Sequence, residues 1–233
     1  MDKRLCVIVG AGPGNGLAIG RKFHDEGYTV ALSARHADNL QRLKEALMDA
    51  HCYPCDAAQP NNVREVFEQI RRDLGQVDTL IYNAGAGVFG NIDNISAEQF
   101  EAAWRVNALG CFQCVKQVLG DMRSNGKGNI IVIGATASLR GGAGFTAFSS
   151  AKGAQRNLVQ SIARYANPFG IHTAYVIIDG VIDLERTRER LPDKPDDFFL
   201  QPDDIAKTVF HLTQQSHSAW TFELDLRPFK EKW

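Results

Sequence analysis

Five apolar residues, Leu5 to Val9, run straight into the glycine cluster Gly10, Gly12, Gly14 and Gly16. Leu17, Ala18, Ile19 and Phe23 then recur at helical spacing. A buried strand, a tight turn and the start of a helix account for this order of residues. Glycine permits positive φ and carries no Cβ to keep a phosphate off the backbone. A helix start adds unpaired N–H groups and the positive end of the helix dipole. The corner therefore suits a nucleotide phosphate better than it suits an ordinary turn. The spacing is not G-x-G-x-x-G, whose last glycine would fall on Asn15; it is G-x-x-x-G-x-G on Gly10, Gly14 and Gly16.

Further strands are expected at Tyr28 to Ser33, His51 to Cys55, Val77 to Tyr82, Asn129 to Ile133, His172 to Ile178 and Phe222 to Leu226. Helices are expected at Ala37 to Asp49, Asn62 to Leu74, Ala97 to Arg123, Phe148 to Ala166 and Pro202 to Thr213. Strands that alternate with helices and read as near-continuous apolar runs indicate a parallel sheet covered on both faces. The fold expected is a single doubly wound α/β domain of the Rossmann type over residues 1–233, with seven parallel strands. Its ligand belongs at the carboxyl ends of the strands, where the strand order reverses. The polar stretch Glu185 to Asp197 follows the sixth strand, either as a solvated loop or as a mobile cover over that crevice.

A net charge of −1 gives no reason to expect nucleic acid or an anionic membrane as partner. No apolar run approaches the ~20 residues that span a bilayer, and the start of the chain lacks a signal-peptide layout, so the cytoplasm is expected. The five cysteines include two C-x-x-C pairs, Cys52/Cys55 and Cys111/Cys114. In a strand, positions three apart point to opposite faces, and the second pair sits in a helix. Buried thiols are therefore expected rather than zinc, and no metal site is expected.

Taken together, these residues resemble the short-chain dehydrogenase/reductase family over essentially the whole chain. The features are the glycine motif, Asp56 after the third strand, Asn83-Ala84-Gly85, Asn107 in the long helix and Lys152 in FSSAKGA. The resemblance implies that the glycine loop holds a cofactor pyrophosphate and that Asp56 meets the adenine. It puts Asn83 to Gly85 beside the adenosine ribose and Lys152 on the nicotinamide ribose. The implied cofactor contacts are Gly10, Gly12, Pro13, Asn15, Arg35, Asp56, Ala57, Asn83, Ala84, Gly85, Lys152 and Ile182. Asn107 and Lys152 are the implied catalytic residues. After the second strand the chain reads Ser33-Ala34-Arg35-His36, with no acid to hydrogen-bond a ribose 2′-hydroxyl. Arg35 can instead pair with a 2′-phosphate, so NADP is expected over NAD.

The departures from the family are as informative. Aligning its Y-x-x-x-K motif on Lys152 puts Phe148 at the tyrosine, and the family's serine falls on Ala135. The family's Pro-Gly becomes Asp179-Gly180, and its threonine falls on Leu184. Both hydroxyls that would touch a reacting oxygen are missing. Thr136 and Ser138 are the neighbours available to substitute, with Ser138 taken as the catalytic candidate. Ser149 and Ser150 flank Phe148 but point away from it at helical spacing.

Two readings follow. One is an NADP-dependent oxidoreductase acting on a small-molecule carbonyl or alcohol through an unusual proton donor. The other is a dinucleotide-binding sensor or assembly protein without turnover. The family commonly pairs through its two long helices, which here carry Trp104, Phe112, Leu158 and Ile162 on more than one face, so a homodimer or homotetramer is expected. Nothing between Leu184 and Leu200 has a readable substrate pattern.

Overall fold

The computed structural model describes residues 4–230. Its centre is a seven-stranded parallel sheet of β1 (Leu5–Val9), β2 (Thr29–Ala34), β3 (His51–Pro54), β4 (Thr79–Tyr82), β5 (Gly128–Ala135), β6 (Ile171–Ile178) and β9 (Glu223–Leu226). The spatial order is β3-β2-β1-β4-β5-β6-β9. From β1 the chain winds outward through β2 and β3, then returns to the other side of β1 at β4. Ligands of open α/β sheets bind at such a reversal. Here it lies where Val9 pairs with Tyr82, just before Gly10 and Asn83. The short strands β7 (Val181–Ile182) and β8 (Phe199–Leu200) pair separately, beyond the end of β6.

Alternation along the strands feeds two cores. Val7, Val9, Leu80 and Tyr82 face α3 (Pro60–Leu74), α5 (Gly110–Asn125) and α6 (Thr146–Ala166) through Phe67, Ile70, Val115, Val118 and Val159. Cys6, Ile8, Leu32 and Ile81 face α1 (Asn15–Asp25), α2 (Ala37–Ala46) and α8 (Pro202–Leu212) through Ile19, Phe23, Leu43, Ile205 and Val209. Cys55, Cys111 and Cys114 belong to the first core and Cys6 to the second, all buried. Among the described residues no three His, Cys, Asp or Glu side chains are grouped to hold a metal. No helix there is long and apolar enough to cross a membrane.

Three sequence expectations need correction. The second helix ends at Ala46 rather than Asp49. The polar stretch after the sixth strand is not all loop, since Glu185–Arg190 forms the short helix α7. Arg188 pins that helix: its guanidinium makes two bonds to Asp183 at 2.7 and 2.8 Å, meets Asp196 at 2.8 Å and stacks over the Phe199 ring.

The third correction bears on the site. Ala97 to Arg123 is not one helix but α4 (Ala97–Trp104), a π turn at Arg105–Leu109, and α5. Side chains take up carbonyls along the widened turn. The Tyr82 hydroxyl donates to the Val106 carbonyl, Asn107 Nδ2 to that of Ala103 at 2.9 Å, and Gln155 Nε2 to that of Asn107 at 2.8 Å. Gly110 then lets the helix lie on β4, because a Cβ there would fall 2.5 Å from the Tyr82 hydroxyl and 2.6 Å from the Ala57 carbonyl.

Candidate active site

The glycine turn is shaped by its contact with the end of β4. Gly10 has φ of +83°, and a Cβ on it would lie 2.3 Å from Ala84 Cα. Only glycine takes both the backbone conformation and the approach. Asn83 Nδ2 donates to the Gly10 carbonyl at 2.7 Å, which ties Asn83-Ala84-Gly85 to the turn. Asn39, a residue the sequence did not single out, donates to the Ala11 carbonyl at 2.8 Å. Gly12 faces open space, while Gly14 meets the Leu184 side chain. Asn15 opens α1, buried, with its Oδ1 lacking a partner.

On one side of this turn stands Arg35, exposed one residue past β2. Asp56 lies past β3 and accepts from the Ala58 amide at 3.0 Å, with Ala57 buried beside it. Pro13 is exposed at the turn, and Ile182 sits half-buried in β7. The glycine turn, the second and third strand ends and Asn83 to Gly85 thus line the same edge of the sheet.

On the other side lies Lys152, buried on α6. Its Nζ donates to the Ile133 carbonyl and to Gln155 Oε1, each at 3.0 Å. Burial pulls its pKa from the ordinary lysine value down to about 8. Asn107 is fully buried in the π turn, with Nδ2 spent on the Ala103 and Ala86 carbonyls and Oδ1 unpartnered. A Cβ on Gly85 would lie 3.4 Å from that oxygen and 3.7 Å from Lys152 Nζ. Gly85, Asn107 and Lys152 therefore surround one small space. Gln155 spans the last two, and its only sequence signal was an amide among core positions of α6.

Of the remaining hydroxyls, those of Thr136, Ser149 and Ser150 are committed elsewhere. Thr136 Oγ1 donates to Asp179 Oδ1 at 2.6 Å, and the other oxygen of Asp179 pairs with Arg227 at 3.0 Å. Ser138 Oγ is buried without a hydrogen-bond partner, near the Tyr175 hydroxyl, which burial holds well above the ordinary phenol range. Ser149 and Ser150 donate back to the carbonyls of Phe145 and Thr146. Phe148 occupies the position one turn before Lys152 and packs into an aromatic group. Its ring centroid is 5.3 Å from that of Phe89 and 6.4 Å from that of Phe145. Backbone bonds of Gly90 to Gly144 and of Thr146 to Gly90 join the two loops that carry these rings.

The short chain dehydrogenase family model matches residues 4–195. An uncharacterized oxidoreductase of Staphylococcus aureus strain MRSA252 is 26% identical over 230 residues, 98% of each chain. A 3-oxoacyl-[acyl-carrier-protein] reductase of Bos taurus is 26% identical over 190 residues, 81% of this chain and 79% of that protein. Among solved structures, a short-chain dehydrogenase from Rhodopseudomonas palustris is 32% identical with a TM-score of 0.82, covering 97% of this chain and 99% of its own. An alcohol dehydrogenase from Thermococcus sibiricus, complexed with 5-hydroxy-NADP, is 28% identical with a TM-score of 0.88, covering 99% and 98%. On its sequence, its sheet order and its glycine corner alike, the chain belongs to the short-chain dehydrogenase family.

Proposed function

We propose that the chain is an oxidoreductase that binds NADP in preference to NAD across the β1–β4 reversal and acts on a small molecule. The observation that carries this reading is the pairing of Lys152 with the unpartnered Oδ1 of Asn107 around Gly85. An ammonium has three N–H donors, and two of those on Lys152 have protein acceptors. A third N–H beside a buried, unpaired acceptor suits a ribose carrying vicinal hydroxyls, each both donor and acceptor. At the other end, the open side of Gly12 and the orphan Asn15 Oδ1 at the start of α1 suit the pyrophosphate end of the same ligand. Arg35 is the group for a 2′-phosphate, and Asp56, Ala57 and Asn83 border the adenosine. Reduced nicotinamide, when bound, supplies the hydride.

The chain's own residues then bind and orient. Lys152 and Asn107 hold the ribose, Gln155 holds Lys152, and the Leu184 side chain lies against Gly14 of the glycine turn. Thr136, Ser149 and Ser150 spend their hydroxyls on protein acceptors, which leaves the buried, unpartnered Ser138 Oγ as the candidate for proton transfer among the four. A second reading, a dinucleotide sensor without turnover, is favoured by Phe148 and Ala135 alone. Exposed Phe100, Trp104 and Phe112 on α4 and α5 support a homodimer or homotetramer, and the cytoplasm is the proposed compartment. The test is NADPH fluorescence on titration with protein, against a Lys152→Met variant. Tight binding that Lys152→Met weakens supports the reading, and no binding by the wild type removes it. Consumption of NADPH in the presence of a small-molecule acceptor then separates enzyme from sensor.

A further inference from the structure

The proposed oxidoreductase site has an aromatic surface where a proton donor is expected. Phe89 and Phe145 are 59% and 41% exposed, and with Phe148 they form a three-ring group at the mouth of the site. Phe148 and Lys152 are one helical turn apart on α6, so their side chains share a face. The loop from Gly85 to Phe89 runs from Lys152 to the rings. The substrate face therefore offers aromatic edges and faces and one buried cation, with Phe148 and Ala135 where hydroxyl-bearing residues are expected and Ser138 Oγ buried.

This combination selects a kind of hydride acceptor. A ketone reduced by hydride becomes an alkoxide, whose conjugate acid has a pKa near that of water, roughly 16. Such an anion needs a proton as it forms, and general acid catalysis is the usual means. A quinone reduced by hydride becomes a hydroquinone monoanion, a phenolate whose conjugate acid has a pKa of about 10. That anion is delocalised over its ring and persists without a donor until solvent protonates it. A planar conjugated ring also stacks on phenylalanine in offset or edge-to-face geometry.

We propose that the substrate class of this site is a planar quinone, seated on Phe89, Phe145 and Phe148 and reduced by two electrons to the hydroquinone. The inference rests on the cofactor reading above. The balance closes with reduced nicotinamide as the hydride donor. Quinone and hydride give the hydroquinone monoanion and oxidised nicotinamide, and water supplies the second proton. The Lys152 ammonium, one helical turn from Phe148, favours the negative charge that develops. Phe148 then replaces a donor the reaction does not need with a surface that binds the ring.

The test compares 2,3-dimethyl-1,4-naphthoquinone, in which both ring carbons open to thiol attack are blocked, with 1-tetralone, an isolated ketone of the same bicyclic shape. Calorimetry on the protein is expected to show the quinone binding, with Phe89→Leu weakening it about tenfold while NADPH affinity and melting temperature stay unchanged. NADPH oxidation above a protein-free control is expected to be at least 100-fold faster with the quinone than with the tetralone. The double variant Ala135→Ser/Phe148→Tyr is expected to gain tetralone reduction without gaining quinone reduction. Normal NADPH binding with no preference for the quinone overturns the proposal and leaves the cofactor reading intact. An unchanged quinone affinity in Phe89→Leu overturns it as well. Failure of NADPH itself to bind removes the cofactor reading, and this proposal with it.

Discussion

The Gln155 side chain accepts a hydrogen bond from Lys152 Nζ at 3.0 Å, and its other end donates to the Asn107 carbonyl at 2.8 Å. One amide thus couples the ammonium on α6 to the π turn between α4 and α5. Gln155→Leu leaves Lys152 with a single protein acceptor and the Asn107 carbonyl without a side-chain donor. A buried group left unsatisfied costs about 1–3 kcal/mol, and a loss of stability in that range is expected by chemical denaturation. Gln155→Glu places a carboxylate against the ammonium and raises its pKa above the value of about 8. NMR titration of the lysine side chain measures that shift. A wild-type titration curve in Gln155→Glu would show that the amide does not govern Lys152.

Arg35→Ala is expected to discriminate between the cofactors. A charged hydrogen bond is worth about 1.5–3 kcal/mol, so NADPH binding weakens by that amount while NADH binding stays nearly constant. Equal wild-type affinity for the two in a fluorescence titration would remove Arg35 from cofactor choice.

Gly10 and Gly12, two residues apart, should respond oppositely to alanine. At Gly10 the positive φ and the approach to Ala84 make a Cβ untenable, whereas at Gly12 a Cβ meets nothing within 4 Å. Gly10→Ala is expected to lower stability by several kcal/mol, in the range of steric core defects at about 2–5 kcal/mol. Gly12→Ala is expected to melt as the wild type does and to bind NADPH more weakly, because its methyl occupies space the pyrophosphate needs. Thermal melting and NADPH titration of the two variants check both halves.

The buried thiols set the alkaline limit of the fold. Burial raises the pKa of Cys6, Cys55, Cys111 and Cys114, that of Cys111 to about 12. The folded chain therefore keeps protons that the unfolded chain releases from about pH 8.5 upward. Their contribution is fully present below that pH and is lost as pH rises toward the folded values. Lys152 acts in the opposite sense, since its penalty eases between about pH 8 and 10.5. Cys111→Ala is expected to flatten the fall of stability by about 1.4 kcal/mol per pH unit over roughly pH 9–12. Denaturant melts across that range measure the slope. An unchanged slope would mean that the Cys111 proton is not retained.

Much of this was legible in the chain. Strands such as Leu5–Val9 and Ile171–Ile178 are buried on both faces, so their apolar residues locate the first in full and the second, expected at His172 to Ile178, to within one residue. The glycine corner was legible because it needs residues without a Cβ, and that requirement is written in residue type. Thr136 shows the limit: its hydroxyl is visible in the chain, but Asp179, which accepts from it, and Arg227, which pairs with Asp179, follow two strands that only the fold brings alongside. Gln155 shows it again, since a single amide carries no period and its partners are 3 and 48 residues away. The π turn was missed because a widened turn keeps helical composition on both sides; its causes, Tyr82 and Gln155, lie on other elements.

That turn also fixes how the segment can vary in length. A π turn holds one residue more than an α-helical turn at the same place. Deleting one residue of Arg105 to Leu109 is therefore expected to leave an unbroken α-helix with α4 and α5 still in phase, whereas a deletion inside α5 turns every later residue by about 100°. Loss of the extra residue keeps the buried side of α5, with Cys111, Cys114, Val115 and Val118, on the sheet and displaces Asn107 from its place beside Lys152. The tip at Pro192 to Lys194 is under less constraint, because all three residues are exposed and belong to no helix or strand. Length changes are expected to be tolerated at places like that tip, while the extra residue of the π turn is what sets Asn107 beside Lys152.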